Sequence, residues 1–540
     1  MSEAVVEYFD EEQETGTLKR EINWSHGVWV ATGVPALVLF SIGAIAATVG
    51  SPSWLVWVVS VLIGSVQMFT YAEVSAMFTH KSGGMAISGS MAWLKYGKVF
   101  PAISAWCYWW AWTPVIAIGT GIASGYIFSA LFPATSAVNT WQITLVNLGF
   151  LQSGLTLRIN ASFFLGVALI LLCFFIQSKG IMRIAKMQMV FAIASLVPLG
   201  LIGIVPLVTG DAPAANFLPF VPLSHDAKGN VIPGAWNMAG ITLFAAGLFI
   251  AAWSTYGIEA CLVYTREFRN PKTDTVKAAI GTTLVCLFFY AIVPISFQGA
   301  LGLTGMLDPG IYDGSGVGLA MAKMVGFKGI FVELIIVMLL ITLLLAIMTA
   351  IAGSARTLYQ SSTDGFLPKY LSYTNKSGTP IKAMFTDLGL NIVLLSMSND
   401  VFLLAVSNVC YLTFIFMNLQ SGWIHRMDRP GWIRPYAAPK FMIALGAAFG
   451  FFNMFLIGMG AQAYGNGVLA GGFLVVFMIL PIFAFRHYFQ DKGKFPAAFS
   501  ADIQPGGPVT AAVFKAGVWP YVAIAGAVAA VWLGNTLAVY

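Results

Sequence analysis

Few side chains in this sequence could do chemistry, and the most telling of them is Glu259. It lies in the run 240–272, whose flanks are apolar and whose middle reads Trp253-Ser254-Thr255-Tyr256-Gly257-Ile258-Glu259. A carboxylate at membrane depth is costly, so it faces a cavity or a partner. No basic residue lies within one helical turn of Glu259, so it is either protonated or met by backbone groups of an irregular segment. Irregular backbone at that depth must line a cavity or be buried in protein. The run therefore predicts a broken helix at a binding site rather than a reaction centre. Glu73 and Asp387 are the other carboxylates in apolar stretches; Glu73 reads as a structural or gate partner near a helix end, and Asp387, close to Lys382, as structural. The cysteines Cys107, Cys173, Cys261, Cys286 and Cys410 lie in apolar segments without C-x-x-C spacing, which indicates neither a disulfide framework nor zinc. A phosphate-cradling G-x-x-x-x-G-K followed by serine or threonine is absent, which argues against ATP-driven pumping. No catalytic constellation, cofactor or metal is expected.

The elements that must position these groups are membrane helices. The chain of 540 residues is 58% hydrophobic and 9% charged, where a soluble domain carries about 25% charged residues. The net charge of +6 is scattered over short loops, so no nucleic-acid partner is expected. Hydropathy predicts an all-α polytopic protein with spans near 26–49, 53–78, 98–131, 161–177, 182–209, 237–266, 273–303, 328–360, 381–398, 400–422, 439–461 and 466–486. A further apolar run at 517–538 brings the total to 12–13 helices. With the N-terminus in the cytosol, 24 of the 28 basic residues fall on the cytosolic side, leaving Arg158, Lys228, Lys323 and Lys328 outside. Residues 1–20 read as a cytosolic tail, whose stretch Met1 to Glu14 is acidic and polar, which excludes a cleaved signal peptide.

The first helix carries a second interruption, Gly33-Val34-Pro35. Proline lacks an N–H and clashes with the carbonyl four residues back, and glycine tolerates unusual dihedrals. Such residues often merely kink a membrane helix. Breaks in helices one and six, five apart, fit two inverted five-helix halves, 21–210 and 237–422, with the site between them. Helices eleven and twelve (439–486) and the run 517–538 stand outside that repeat.

The motifs resemble those of the amino acid–polyamine–organocation (APC) superfamily of permeases. Trp253-Ser254-x-x-Gly257-x-Glu259 followed by Glu267-x-x-Asn270-Pro271-Lys272 is similar to that family's sixth helix. Tyr71-Ala72-Glu73 with Lys81-Ser82-Gly83-Gly84, and Ser354-Ala355-Arg356-Thr357-Leu358-Tyr359 with Asp364-Gly365-Phe366-Leu367-Pro368, are similar to its second and eighth helices. The resemblance covers about residues 18–486 and implies the leucine-transporter-like 5+5 inverted repeat. It also implies a secondary active transporter of amino acids or related small amines across the cell membrane. Such a protein would be an alternating-access carrier with a coupling ion, sodium or proton, in contact with membrane lipid. A polyamine or potassium carrier is the alternative, and a channel ranks below it. The family's glycine-serine-glycine run, whose amides hold a substrate carboxylate, is replaced here by Gly33-Val34-Pro35-Ala36-Leu37, with one donor fewer. The fifth-helix lysine of proton-coupled members aligns with Ser195, which argues against that mode of coupling.

Substrate contacts are thus expected from Gly33, Val34, Pro35, Ala36 and Leu37, from Trp253, Ser254, Thr255, Tyr256 and Gly257, and from Thr113 and Asn408. Trp253 and Glu259 are candidates for gating. Gly257 read blandly is a packing glycine, and Trp253 a buried ring. Ser195, Thr342 and Thr349 are candidate oxygen ligands for a sodium ion, although such hydroxyls are commonly satisfied by their own helix. Thr120 and Tyr411 are further polar candidates for the cavity wall, and His26 reads as a surface anchor.

Overall fold

The computed structural model describes residues 18–133, 135–226, 228, 230–312, 314, 316–496 and 513–540. Residues 1–17 of the expected tail lie outside the described residues. Among the described residues, 11 helices are long and apolar enough to cross a membrane. They are helix one (Trp24–Val49), two (Ser53–Met77), three (Phe100–Leu131), five (Ile181–Thr209), six (Met238–Glu267) and seven (Pro271–Met306). The others are eight (Ile330–Thr363), ten (Asp400–Asp428), eleven (Lys440–Tyr464), twelve (Val468–Gln490) and thirteen (Trp519–Leu537).

Two expected spans come out short. Helix four (Ala161–Gln177) has 17 residues and helix nine (Ile381–Leu394) has 14, against about 20 for a full crossing. Helix nine stops before 398 because the chain turns to pair with a strand. Arg158 N–H donates to Ser396 O at 2.7 Å, and Ser398 N–H to Thr156 O at 2.9 Å. That strand corrects the all-helical expectation. An antiparallel hairpin, β1 (Gln142–Asn147) with β2 (Thr156–Asn160), joins helices three and four. A smaller one, β3 (Leu223–His225) with β4 (Val231–Pro233), lies between helices five and six. Both contain β-branched residues in connecting segments, where no helix period competes for them.

Helix one is almost wholly enclosed, and helix thirteen is mostly exposed. The enclosure depends on close backbone approach. A Cβ on Gly33 would sit 2.6 Å from Leu345 O and 2.8 Å from Ala346 Cα of helix eight. Helix thirteen is seated on helix eleven at Gly458 and Gly534 in the same manner.

The two interruptions are milder than expected. Helix one runs as Trp24–Ala31, Gly33–Ala36 and Val38–Val49. Between the pieces, Thr32 (φ −68°, ψ −7°) and Leu37 (φ −64°, ψ −14°) stay right-handed. Thr32 N–H reaches Trp29 O and Leu37 N–H reaches Val34 O, so the helix tightens to three-residue turns instead of opening. Helix six is α-helical over Met238–Thr255 and continues as a 3-10 helix over Tyr256–Glu267. Such geometry rarely persists beyond 3–4 residues, and longer stretches often mark a functional hinge; here it covers 12. Gly257 needs no positive φ there. Its reason is space: a Cβ would meet Val34 Cγ1 at 3.1 Å and Trp112 at 3.3 Å.

Candidate functional site

Helices one and six meet where both change geometry. Ser254 Oγ lies 3.3 Å from Leu37 O and 3.4 Å from Ser41 Oγ. The Tyr290 hydroxyl of helix seven lies 2.5 Å from Val34 O and 2.8 Å from Ser254 O. One phenolic proton thus serves two carbonyls, one from each altered helix. The Tyr290 ring is fixed by stacking on Trp57, with centroids 5.6 Å apart and planes 9° apart. Trp253 closes one side of this junction. Its indole N–H donates to Ala111 O of helix three at 3.1 Å, and its ring lies 6.1 Å from that of Phe40.

Glu259 is buried four residues beyond Thr255, the last α-helical residue of helix six. Its Oε1 accepts from the Tyr411 hydroxyl at 2.7 Å and from the Trp112 indole at 3.4 Å. Oε2 meets no donor at hydrogen-bond distance. The carboxyl is therefore held by side chains of helices three and ten; of the two alternatives expected, backbone groups of an open segment do not meet it. Trp112 also packs where Gly257 leaves room, so one ring touches both the glycine and the carboxylate.

Several of the expected contact residues have partners on other helices. Thr255 Oγ1 bonds Ser60 Oγ at 2.6 Å and its own helix at Ala251 O, so it faces helix two. Tyr256 lies against Gly64 of helix two, and its hydroxyl meets Asn453 Oδ1 of helix eleven at 3.3 Å. Thr113 donates to Asp387 and accepts from Asn391 Nδ2, which ties it to helix nine. Asp387 also accepts from Trp109 Nε1 at 2.9 Å and Ser354 Oγ at 2.6 Å, so it joins helices three, eight and nine. Asn408 donates to Phe249 O of helix six, and its Oδ1 meets no donor. Pro35 and Ala36 are buried in the short middle piece of helix one.

The candidate ion ligands separate in the same way. Ser195 donates to Phe191 O and Thr342 to Met338 O, each within its own helix. Thr349 alone reaches helix one. It donates to Val30 O at 2.8 Å and accepts from Gly33 N–H at 3.2 Å. The helix-five side chain at this point is Gln188, whose Nε2 lies 3.2 Å from Thr349 Oγ1. Ser195 thus turns to its own helix, and Gln188, two turns earlier on helix five, is the side chain that meets Thr349 at the helix-one turn. Counting along one helix could not reveal which turn faces helix eight.

The motif residues of helices two, six and eight converge at the end of the bundle that carries the N-terminus. Lys81 Nζ pairs with Asp364 at 2.7 Å, and Ser82 N–H donates to Gln360 Oε1. Gly83 N–H donates to Val263 O at 3.1 Å. Arg356 forms a buried two-pronged pair with Glu267 and lies 5.0 Å over the Tyr264 ring. Glu73 accepts from Arg426, Arg434 and the Ala438 N–H. Tyr290 and Gln188 were the residues that sequence reasoning missed. A single tyrosine in the apolar run before Pro294 was the available signal for the first.

Such a bundle, with polar side chains converging inside it, defines a multi-pass membrane protein. The sequence model described as "Amino acid permease" matches residues 22–485, and the chain belongs to that family, within the APC superfamily. It is therefore a permease, and its family points to transport of amino acids or related compounds. No curated protein matches the chain. Helix thirteen lies outside the matched region.

Proposed function

We propose that the protein is a secondary active transporter of amino acids or related small amines, working by alternating access in the cell membrane with its N-terminus in the cytosol. In this reading 21–210 and 237–422 are inverted five-helix halves, and 439–486 and 517–538 are accessory. The observation that carries it is the junction at Tyr290, where Val34 O and Ser254 O converge from the two interrupted helices. Paired carbonyls of this kind suit an ammonium group, and Trp253 supplies a ring face beside them. Glu259, held by Tyr411, closes the path on the N-terminal side of the site, and the ion pairs of Arg356 and Lys81 close the vestibule beyond it. Two buried acceptors without partners, Glu259 Oε2 and Asn408 Oδ1, favour substrates rich in donors, amines among them. Helix five presents Gln188 rather than lysine at the helix-one turn, which favours exchange or sodium coupling over lysine-based proton coupling.

The test is uptake by the purified protein in liposomes. A labelled panel of neutral and basic amino acids and amines would be run with and without sodium and proton gradients. Saturable, competable uptake of one class is expected. Unitary current steps, or no saturable uptake of any member, would defeat the proposal.

A further inference from the structure

Away from the junction, helices one, five and seven line a cavity of about 350 Å³ that opens on the outer, apolar face of the bundle, where Ile193, Val197, Leu201 and Phe288 are exposed. Its wall includes Trp29, Thr32, Leu196, Val197, Gly200 and Phe288. Nearly every atom facing it is carbon, and the Thr32 hydroxyl is turned back onto Trp29 O at 2.5 Å. Gly200 helps to make the hollow, since a Cβ there would already lie 3.3 Å from Phe288. Along helix five the wall runs from Ala192 to Ile204, a rise of about 18 Å. One leaflet of the hydrocarbon core is about 15 Å deep. The groove therefore matches the reach of an acyl chain in a single leaflet.

The groove ends at a basic rim. Arg183 and Lys186 precede it on helix five, and Arg269, Lys272 and Lys277 lie around the start of helix seven. All five are exposed, and none forms a salt bridge among the described residues. Lys186 lies on helix five and Arg269 in the loop between helices six and seven, where its backbone N–H donates to Ile22 O at 2.8 Å just ahead of helix one, and both charges bear on His26, two residues before the groove wall begins at Val28. Trp24, also exposed, lies beside Gly281 of helix seven at the same level, where an amphipathic ring suits the headgroup layer. Basic pockets between membrane helices are suited to acidic lipid headgroups.

We propose that this is a binding site for one anionic phospholipid, with an acyl chain in the groove and the phosphate on Lys186 and Arg269. The bilayer supplies the occupant, and the charge of the rim selects it. Trp29 and Thr32 border the first interruption of helix one, so the chain packs directly on that turn.

Native mass spectrometry of the full-length protein tests this, with phosphatidylglycerol and phosphatidylcholine of matched chains as probes. One phosphatidylglycerol should be retained in preference to phosphatidylcholine. The K186Q/R269Q variant should bind it about thirty-fold more weakly, at about fivefold for each basic residue lost near an acidic headgroup. The V197W variant, which fills the groove and keeps the rim, should also lose it. The K492Q/K494Q control, remote in sequence and equally exposed, should bind as the wild type does. Melting curves establish that each variant is folded. Equal retention of the two lipids, an equal loss in the control, or full retention by V197W would overturn the proposal.

Discussion

Replacing Tyr290 by phenylalanine removes one oxygen from the point where helices one and six meet. The ring keeps its stack on Trp57. The loss is a donor 2.5 Å from Val34 O and 2.8 Å from Ser254 O. Neither carbonyl is stranded: Val34 O still accepts from Leu37 N–H, and Ser254 O from Tyr256 N–H. The cost is then that of a satisfied bond, about 1 kcal/mol, without the larger penalty of a dry acceptor. That is about fivefold in an equilibrium that depends on the two carbonyls being held together. We expect Tyr290→Phe to insert and fold, with the half-saturating substrate concentration raised about fivefold. Concentration-dependent uptake in liposomes reads the first quantity, and a melting curve reads the fold. Unchanged or lowered half-saturation would refute the reasoning. Wholesale aggregation would show that the hydroxyl serves folding rather than the site.

Gly257→Val should abolish transport while leaving an inserted protein, because its Cβ would press on Val34 and Trp112 and its methyls would add overpacking of about 1–3 kcal/mol; wild-type rate and affinity would place the site elsewhere. Trp253→Leu keeps apolar bulk and removes the ring face and the bond to Ala111 O, so weaker binding with normal expression is expected in the same uptake assay. Glu267→Gln leaves Arg356 buried without its counter-charge, a loss of about 3–5 kcal/mol; an unchanged melting curve would show that the pair does not hold the bundle end. A reporter at Asn270 should be accessible only from the cytosol, and labelling from outside intact cells would invert the topology.

The helix map was legible because hydropathy depends on composition, which the sequence states outright. Helix nine misled because its last expected turn is claimed by β2, a partner far away in the chain. The interruptions were legible from Gly33, Pro35 and Gly257, but their form was not. Tertiary contacts, including Thr349 on Gly33 and Trp112 against Gly257, decide whether such a segment opens or merely tightens. The partners of Thr113, Asp387 and Asn391, could not be read from its own helix because they are more than 270 residues away. Ser195 and Gln188 lie two turns apart on helix five, and of the two Gln188 meets Thr349. Spacing gives the helix but not the turn that faces a neighbour.

The 3-10 stretch of helix six also has mechanical meaning. Its residues rise about 2.0 Å each, against about 1.5 Å in an α-helix. Over the 12 residues of Tyr256–Glu267 the difference amounts to about 6 Å, a little more than one α-helical turn. The segment is a stretched spring fixed at one end by Tyr290 and at the other by the Arg356–Glu267 pair. Winding it to α geometry with the Tyr290 end held would draw the Glu267 end inward by that stroke and Glu259, the fourth residue of the segment, by about 2 Å, enough to part it from Tyr411. Spin labels at Thr242 and Asn270 would register the shortening directly, and a fixed separation throughout transport would show that the spring does not recoil.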